Sequence, residues 1–201
     1  MLQNCLPACG LVVFVASTAS AQTVLFEDQV FNTTFNNGTM FTASGVDISV
    51  NDYFFDAVTS FSGGFTTVDN LQRAGGTGLD MNVNNVNLDF NFGTDVTQIF
   101  FNYGDYGGST NLSINNNQLI VEDLVALDGN AVAGVTISAP GTTPVLGGQL
   151  GTVTLNGLIT QFSVGGQEFY LDSVRYTPIP APGAAGLCAF AGLAAIRRRR
   201  A

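Results

Sequence analysis

From Thr23 to Tyr176 the chain never stays apolar, or helical in period, for long. Short apolar stretches alternate with Gly, Asn, Asp and Thr, and no run repeats at a 3.6-residue period. Val46-Asp47-Ile48-Ser49-Val50 alternates strictly, and Val86, Leu88, Phe90 and Phe92 fall on one face of the run from Val83 to Phe92. Further strands are predicted at 23–26, 96–101, 112–114, 118–121, 132–137, 151–155, 158–164 and 168–176. Period-2 patterns rich in β-branched and aromatic residues mark half-buried strands. Between them lie Asn37-Gly38, Gly63-Gly64, Gly75-Gly76, Gly107-Gly108, Asp128-Gly129, Asn156-Gly157 and Gly165-Gly166. Asn-Gly and Asp-Gly suit type I′ turns, whose two central residues need positive φ. Leu155-Asn156-Gly157-Leu158 is therefore the strongest hairpin signal. Ten to thirteen such strands cannot bury their apolar faces in one sheet. The predicted fold is all-β: a two-sheet antiparallel β-sandwich of jelly-roll type. Sixteen Phe and no Trp point to Phe packing between the sheets.

Composition narrows the chemistry. The chain has no His, so a Ser-His-Asp triad, a Cys-His dyad or a His metal site cannot be built. Lys is absent too, and Arg73 and Arg175 are the only cations between the ends, against fifteen Asp and Glu. Such a surface repels nucleic acid and anionic membranes. It is suited to cations or to neutral, hydroxyl-rich partners. The three Cys, at positions 5, 9 and 188, all fall outside the stranded body. That body must hold itself together through its core, without disulfides.

The two ends read as addresses. Residues 1–21 form a signal peptide, with the apolar core Leu11-Val12-Val13-Phe14-Val15-Ala16. Ala19-Ser20-Ala21 gives the small-x-small cleavage pattern, placing signal peptidase cleavage after Ala21. Residues 22–177 form one domain, with no linker or repeat. Residues 178–201 contain Pro180-Ala181-Pro182, an apolar run to Ile196, and Arg197, Arg198, Arg199 and Arg200. The run is short against the ~20 residues of a bilayer span. The Arg cluster orients it with the charges cytoplasmic and the body outside. This tripartite order resembles the PEP-CTERM sorting signal of bacteria, with Ala181 where the family's name carries Glu. The resemblance implies cutting or transfer near the Pro motif by an exosortase-type membrane protease. It also implies transient membrane contact through the tail and delivery to the cell surface or extracellular matrix. A plain C-terminal membrane anchor is the alternative. Asn-x-Ser/Thr sequons begin at Asn32, Asn37 and Asn111. With a bacterial tail they read as chance matches in an Asn-rich chain.

Phe26-Glu27-Asp28, the stretch at 41–46, and Gly166-Gln167-Glu168-Phe169-Tyr170-Leu171-Asp172-Ser173-Val174 resemble exported PEP-CTERM proteins. Their bodies are similar to carbohydrate-binding-module jelly rolls. That resemblance implies a structural Ca²⁺ shared by an acidic residue near the first strand and an Asp of the last. The matching positions are Glu27 and Asp172, with Asp28 as a further candidate. No EF-hand loop is present. In Asn102-Tyr103-Gly104-Asp105-Tyr106-Gly107-Gly108, two Tyr flank an Asp. Tyr103, Asp105 and Tyr106 are candidates for a glycan site, since rings stack on sugars and Asp accepts from hydroxyls. The alternative is a turn whose Tyr rings cover the core. Glu122-Asp123 and Glu168 are the candidates for a glycosidase pair, but strand neighbours such as Glu122 and Asp123 face opposite sides. The expected function is a non-catalytic structural or adhesive one at the cell surface or in the matrix. A carbohydrate-binding module for extracellular polysaccharide with a structural calcium ion is the alternative, and a glycoside hydrolase-like enzyme the remote one.

Overall fold

The computed structural model describes residues 19–180, of which Ser20–Ile179 form one compact unit. The signal segment to Thr18, and the tail from Ala181 with Pro182 and Arg197 to Arg200, lie outside the described residues.

The described residues form seventeen strands. The early ones are β1 (Gln22–Val24), β2 (Thr34–Asn36), β3 (Met40–Ala43), β4 (Val46–Phe54), β5 (Ser60–Phe61), β6 (Phe65–Asp69), β7 (Asp80–Asn84) and β8 (Val86–Asn91). Then come β9 (Val96–Asp105), β10 (Thr110–Ile114), β11 (Asn117–Val121), β12 (Ala131–Val132), β13 (Val135–Ser138), β14 (Thr142–Val145), β15 (Gly148–Ile159), β16 (Phe162–Gly166) and β17 (Phe169–Pro178). A single 3₁₀ turn, Leu124–Leu127, lies between β11 and β12. All pairings are antiparallel.

Sheet A has ten strands, ordered β12-β13-β15-β9-β17-β7-β6-β2, with β1 also on β17 and β14 on β15. Sheet B has seven, ordered β11-β10-β16-β8-β4-β3, with β5 on β4. The path from β7 onward is that of a jelly roll. β7-β17-β9-β15 form one four-stranded half and β8-β16-β10-β11 the other, the chain crossing between the sheets as it goes. The strands before β7 widen both sheets.

The two inner faces meet in one apolar core. Ile48, Val50, Leu88, Phe90, Leu112, Ile114, Phe162 and Val164 come from sheet B. Met81, Ile99, Phe101, Tyr103, Val153, Leu155, Phe169 and Leu171 come from sheet A. Phe162 is fully buried and meets Phe90, Phe92 and Phe101 at centroid distances of 5.4, 6.4 and 5.7 Å. The expected Phe packing between the sheets is thus present.

Four local readings change, the first being that the run 158–164 divides between β15, which ends at Ile159, and β16, which begins at Phe162. The run from Val83 to Phe92 is two strands, because Asn85 at φ 53° turns the chain out of sheet A and into sheet B. The run from Val132 to Ile137 is also two, joined by Ala133-Gly134 with φ 49° and 78°. Most instructively, Asn156-Gly157 is not a hairpin turn. β15 runs through it with an irregularity between Asn156 and Ile159, and Gly157 has φ 145°. Asn156 stays in the ladder between Gln98 and Thr136, its Oδ1 accepting from Gln98 Nε2 at 2.7 Å. A type I′ turn needs positive φ at both centres. That condition is met at Ser44-Gly45, Asn115-Asn116 and Ala133-Gly134.

Phe162→Ala removes a ring enclosed by three others. The expected loss is about 3–5 kcal/mol in chemical denaturation of the full chain. A loss below about 1 kcal/mol would contradict this packing.

Candidate functional site

One segment crosses the outer face of sheet A and gathers three of the predicted site residues, Glu27, Tyr106 and Asp172. It runs from Asn70 to Leu79, between β6 and β7. Asp69 starts it, its Oδ1 accepting from the backbone N–H of Asn70 and Leu71 at 2.7 and 3.1 Å. Arg73 then lies over two Tyr rings, its guanidinium carbon 5.2 Å from the Tyr106 centroid and 5.3 Å from that of Tyr170. Its Nη1 donates to Tyr170 Oη at 3.0 Å. Gly104 lies directly beneath, where a Cβ would overlap the Arg73 carbonyl. Further on, a Cβ at Gly76 would overlap Asp172 Oδ2, and one at Gly78 would overlap Glu27 Oε1. Leu79 N–H donates to that same Glu27 oxygen at 2.9 Å. Glu27 and Asp172 therefore face one glycine-rich segment, and their negative charges act on each other.

Asp172 is held by local strain as well as by the segment. β17 bulges between Asp172 and Arg175, and Ser173 takes φ 54°. Ser173 N–H donates to Asp172 Oδ1 at 2.6 Å and Ser173 Oγ–H to Oδ2 at 3.2 Å. Burial pushes the Asp172 carboxyl up, the Ser173 hydrogen bonds pull it down, and Glu27 adds to the rise. Asp28 lies apart. Its Oδ2 accepts from Ser44 N–H at 2.7 Å in the β3–β4 turn, and its Oδ1 from Gln29 Nε2 at 3.0 Å.

A carboxylate not singled out from the sequence lies at the centre of this region. Asp80 pairs with Asp69 across β6 and β7, in the row that continues towards Asp172. It is 1% exposed; its Oδ2 accepts from Ala74 N–H at 3.1 Å, while its Oδ1 has no partner. Burial pushes its pKa up to about 6, against the Ala74 and Arg73 backbone N–H groups, with Asp69 and Asp172 adding to the rise. Its signal in the sequence was a carboxylate at the first position of a strand beside a Gly-rich segment.

The second predicted group separates. Asn102 to Asp105 are strand, not loop, because β9 extends to Asp105. Successive side chains therefore alternate between faces. Tyr103 is fully buried between the sheets, stacked on Phe169 at 5.8 Å, and its hydroxyl donates to Asp123 Oδ1 at 3.0 Å. Burial first, and then Asp123, push that hydroxyl far above its ordinary range. Asp105 is buried too, its Oδ1 accepting from Gly107 N–H at 3.0 Å, and burial raises its pKa. Tyr106 lies on the opposite face, against Arg73 and edge-on to Tyr170 at 5.3 Å. The two Tyr rings do not make one platform.

Asp123 caps the 3₁₀ turn through Val125 N–H at 3.0 Å, and its Oδ2 accepts from Gln149 Nε2 at 2.7 Å. Glu122 and Glu168, weighed with it for hydrolysis, are both exposed. Among the described residues, no three Asp, Glu, Cys or His side chains gather closely enough to hold a metal by themselves. No described helix is long and apolar enough to cross a membrane. No protein-family model, curated protein or solved structure matches this chain.

Asp80 sets a pH dependence. Folding raises its pKa above the unfolded value near 3.8, so the folded state binds the proton more tightly. Its effect on stability is least unfavourable below about pH 4, and stability falls as pH rises through about 6. Thermal unfolding in EDTA should show a smaller fall for Asp80→Asn than for the parent protein across that window. Equal slopes would contradict the assignment.

Proposed function

We propose that the chain is an exported bacterial protein of the cell surface or extracellular matrix, with a structural or adhesive and non-catalytic role. The observation that carries this reading is the order of the C-terminal segments: Pro180-Ala181-Pro182, a short apolar run, then Arg197 to Arg200. They follow directly on β17, so processing near Pro180 and Pro182 leaves the sandwich whole. The cationic cluster stays on the cytoplasmic side while the body is presented outside. A signal peptidase site after Ala21 falls immediately before β1, which begins at Gln22. The lack of His and the acidic body fit a partner other than nucleic acid.

Fractionation of the producing bacterium tests this. The protein should appear at the cell surface or in the medium, with both ends shortened. Replacing Arg197, Arg198, Arg199 and Arg200 by Ala should leave its tail uncut and reduce its surface fraction at least several-fold. Full-length protein in the cytosol of the parent strain would contradict the reading.

A second reading is a carbohydrate-binding module stapled by calcium, and it is favoured by Glu27 and Asp172 facing one segment. Their hard oxygens suit Ca²⁺, and the missing side chains at Gly76 and Gly78 let both carboxylates come against the backbone of the segment. With six to eight ligands to supply, most would be main-chain carbonyls and water. If the ion binds only the folded state, Ca²⁺ at a hundredfold excess over Kd adds about 2.7 kcal/mol. The melting temperature of the full chain should therefore rise from EDTA to millimolar Ca²⁺, and Asp172→Asn should abolish the rise. No shift in the parent protein would remove the calcium site.

A further inference from the structure

The outer face of sheet B is polar in two adjacent rows. One row crosses the strands through Asn51, Asn87, Gly165 and Asn111, the next through Ser49, Asp89, Ser163, Ser113 and Gln118. Between them lies a shallow groove of ≈ 150 Å³. Its upper end is fixed. The Asn111 side chain accepts from Phe54 N–H at 2.8 Å and donates to Phe54 C=O at 2.9 Å, so Phe54, one of the groove's lining residues, has an anchored backbone. Asn87 Nδ2 donates to Asp52 C=O and to Asn111 Oδ1. Asn87 Oδ1 is left without a partner although the residue is 6% exposed. It sits over Gly165, where a Cβ would come within 2.7 Å of it.

The groove contains unused hydrogen-bonding capacity. Among the described residues, the side chains of Asp89, Ser113, Ser163 and Gln118 make no hydrogen bond, although the first three are partly buried. The outer face of sheet A differs, since Gln98 is bonded to Asn156, Thr136 to the Asn156 carbonyl and Thr97 to the Thr177 carbonyl. Asp89 also has no cation nearby. Arg73 and Arg175, the two cations among the described residues, lie over the rings of Tyr106, Tyr170 and Phe100 on sheet A. Asn87 Oδ1 is buried without a partner, and the other groups are open to water, which a ligand bringing its own donors and acceptors can replace. Asp89 and Asp52 in the groove repel anions. A row of serine hydroxyls beside a carboxylate and an aromatic ring suits a neutral sugar, with hydroxyls for the first two and a C–H face for the ring.

We propose that this face binds a neutral oligosaccharide, with Asp89 accepting from a sugar hydroxyl, Ser113 and Ser163 bonding to its neighbours, and Phe54 packing on the ring. This site is separate from Tyr103, Asp105 and Tyr106, and it rests on the reading of the body as adhesive. The test is titration of the ¹⁵N-labelled full chain with neutral hexasaccharides of β-1,4-glucan, β-1,3-glucan, xylan and mannan. A polygalacturonate hexamer and a lysine-rich peptide are run alongside. At least one neutral hexasaccharide should shift the side-chain amide signals of Asn87, Asn111 and Gln118 saturably, with neither charged probe doing so. Asp89→Asn and Ser163→Val should each weaken that binding by about tenfold or more, in variants whose melting temperatures stay near that of the parent. Binding lost in Tyr106→Ala but kept in both groove variants would overturn this site while sparing the adhesive reading. A response to only a charged probe, or to none, would overturn it as well, leaving the surface location to be judged by fractionation alone.

Discussion

The structure depends on the pairing of its last strand. β17 lies inside sheet A, hydrogen-bonded to β9 on one side and to β7 and β1 on the other. It brings Phe169, Leu171, Val174 and Tyr176 into the core. Until residues 169–178 are in place, β9 lacks one of its two neighbours, and the larger half of the jelly roll is open. Its pairings are distant in sequence: Gln22 with Tyr176 and Val83 with Phe169. Such closure is entropically costly and typical of slow-folding sandwiches. It also means that the body is finished only at Pro178, the last residue of β17.

The same strand organises the chemistry. Its bulge at Asp172–Ser173 turns an acidic side chain towards the segment from Asn70 to Leu79. β1 lies beside it and leads into Glu27, which meets the same segment. Three neighbouring strands thus bring Asp69, Asp80 and Asp172 onto the outer face of sheet A; burial raises the pKa of the latter two, with Asp69 and Asp172 adding to the rise at Asp80 and Glu27 to that at Asp172. The two outer faces differ in kind. Sheet A is covered by a glycine-rich crossing with Arg73 on its aromatic rings, whereas sheet B, with the end of β4 anchored on Asn87 and Asn111, presents an array of amides, hydroxyls and one unpaired carboxylate.

Much of the architecture was legible in the alternation. Val86, Leu88 and Phe90 do share the core face, which puts Asn87 and Asp89 on the other. What local pattern could not supply was which interruption is a turn. Ala133-Gly134 bends the chain although Ala is a poor residue for positive φ, because Val132 and Val135 pair across it. Asn156-Gly157 stays extended although it carries the stronger signal, because β9 and β13 hold β15 on both sides. Long-range pairing outweighed local preference in both places. That Glu27 and Asp172 face one segment follows from the pairing of β1 with β17 and from the bulge at Asp172–Ser173, neither of which local pattern shows. Asp80 was missed because its burial arises from a crossing segment that has no periodicity to read. Tyr103 and Tyr106 make a pair only if Asn102 to Asp105 are loop. Once they are strand, the faces separate.

Native-state hydrogen exchange of the full chain tests the central role of β17 most directly. Backbone amides of Leu171 and of Phe101 and Tyr103 in β9 should exchange only through global unfolding, with the highest protection in the molecule. The short outer strands β2, β3 and β12 should exchange through local opening. If β17 amides exchanged faster than those of β4 and β8 in sheet B, the last strand would not be what holds the sandwich closed, and this account would be wrong.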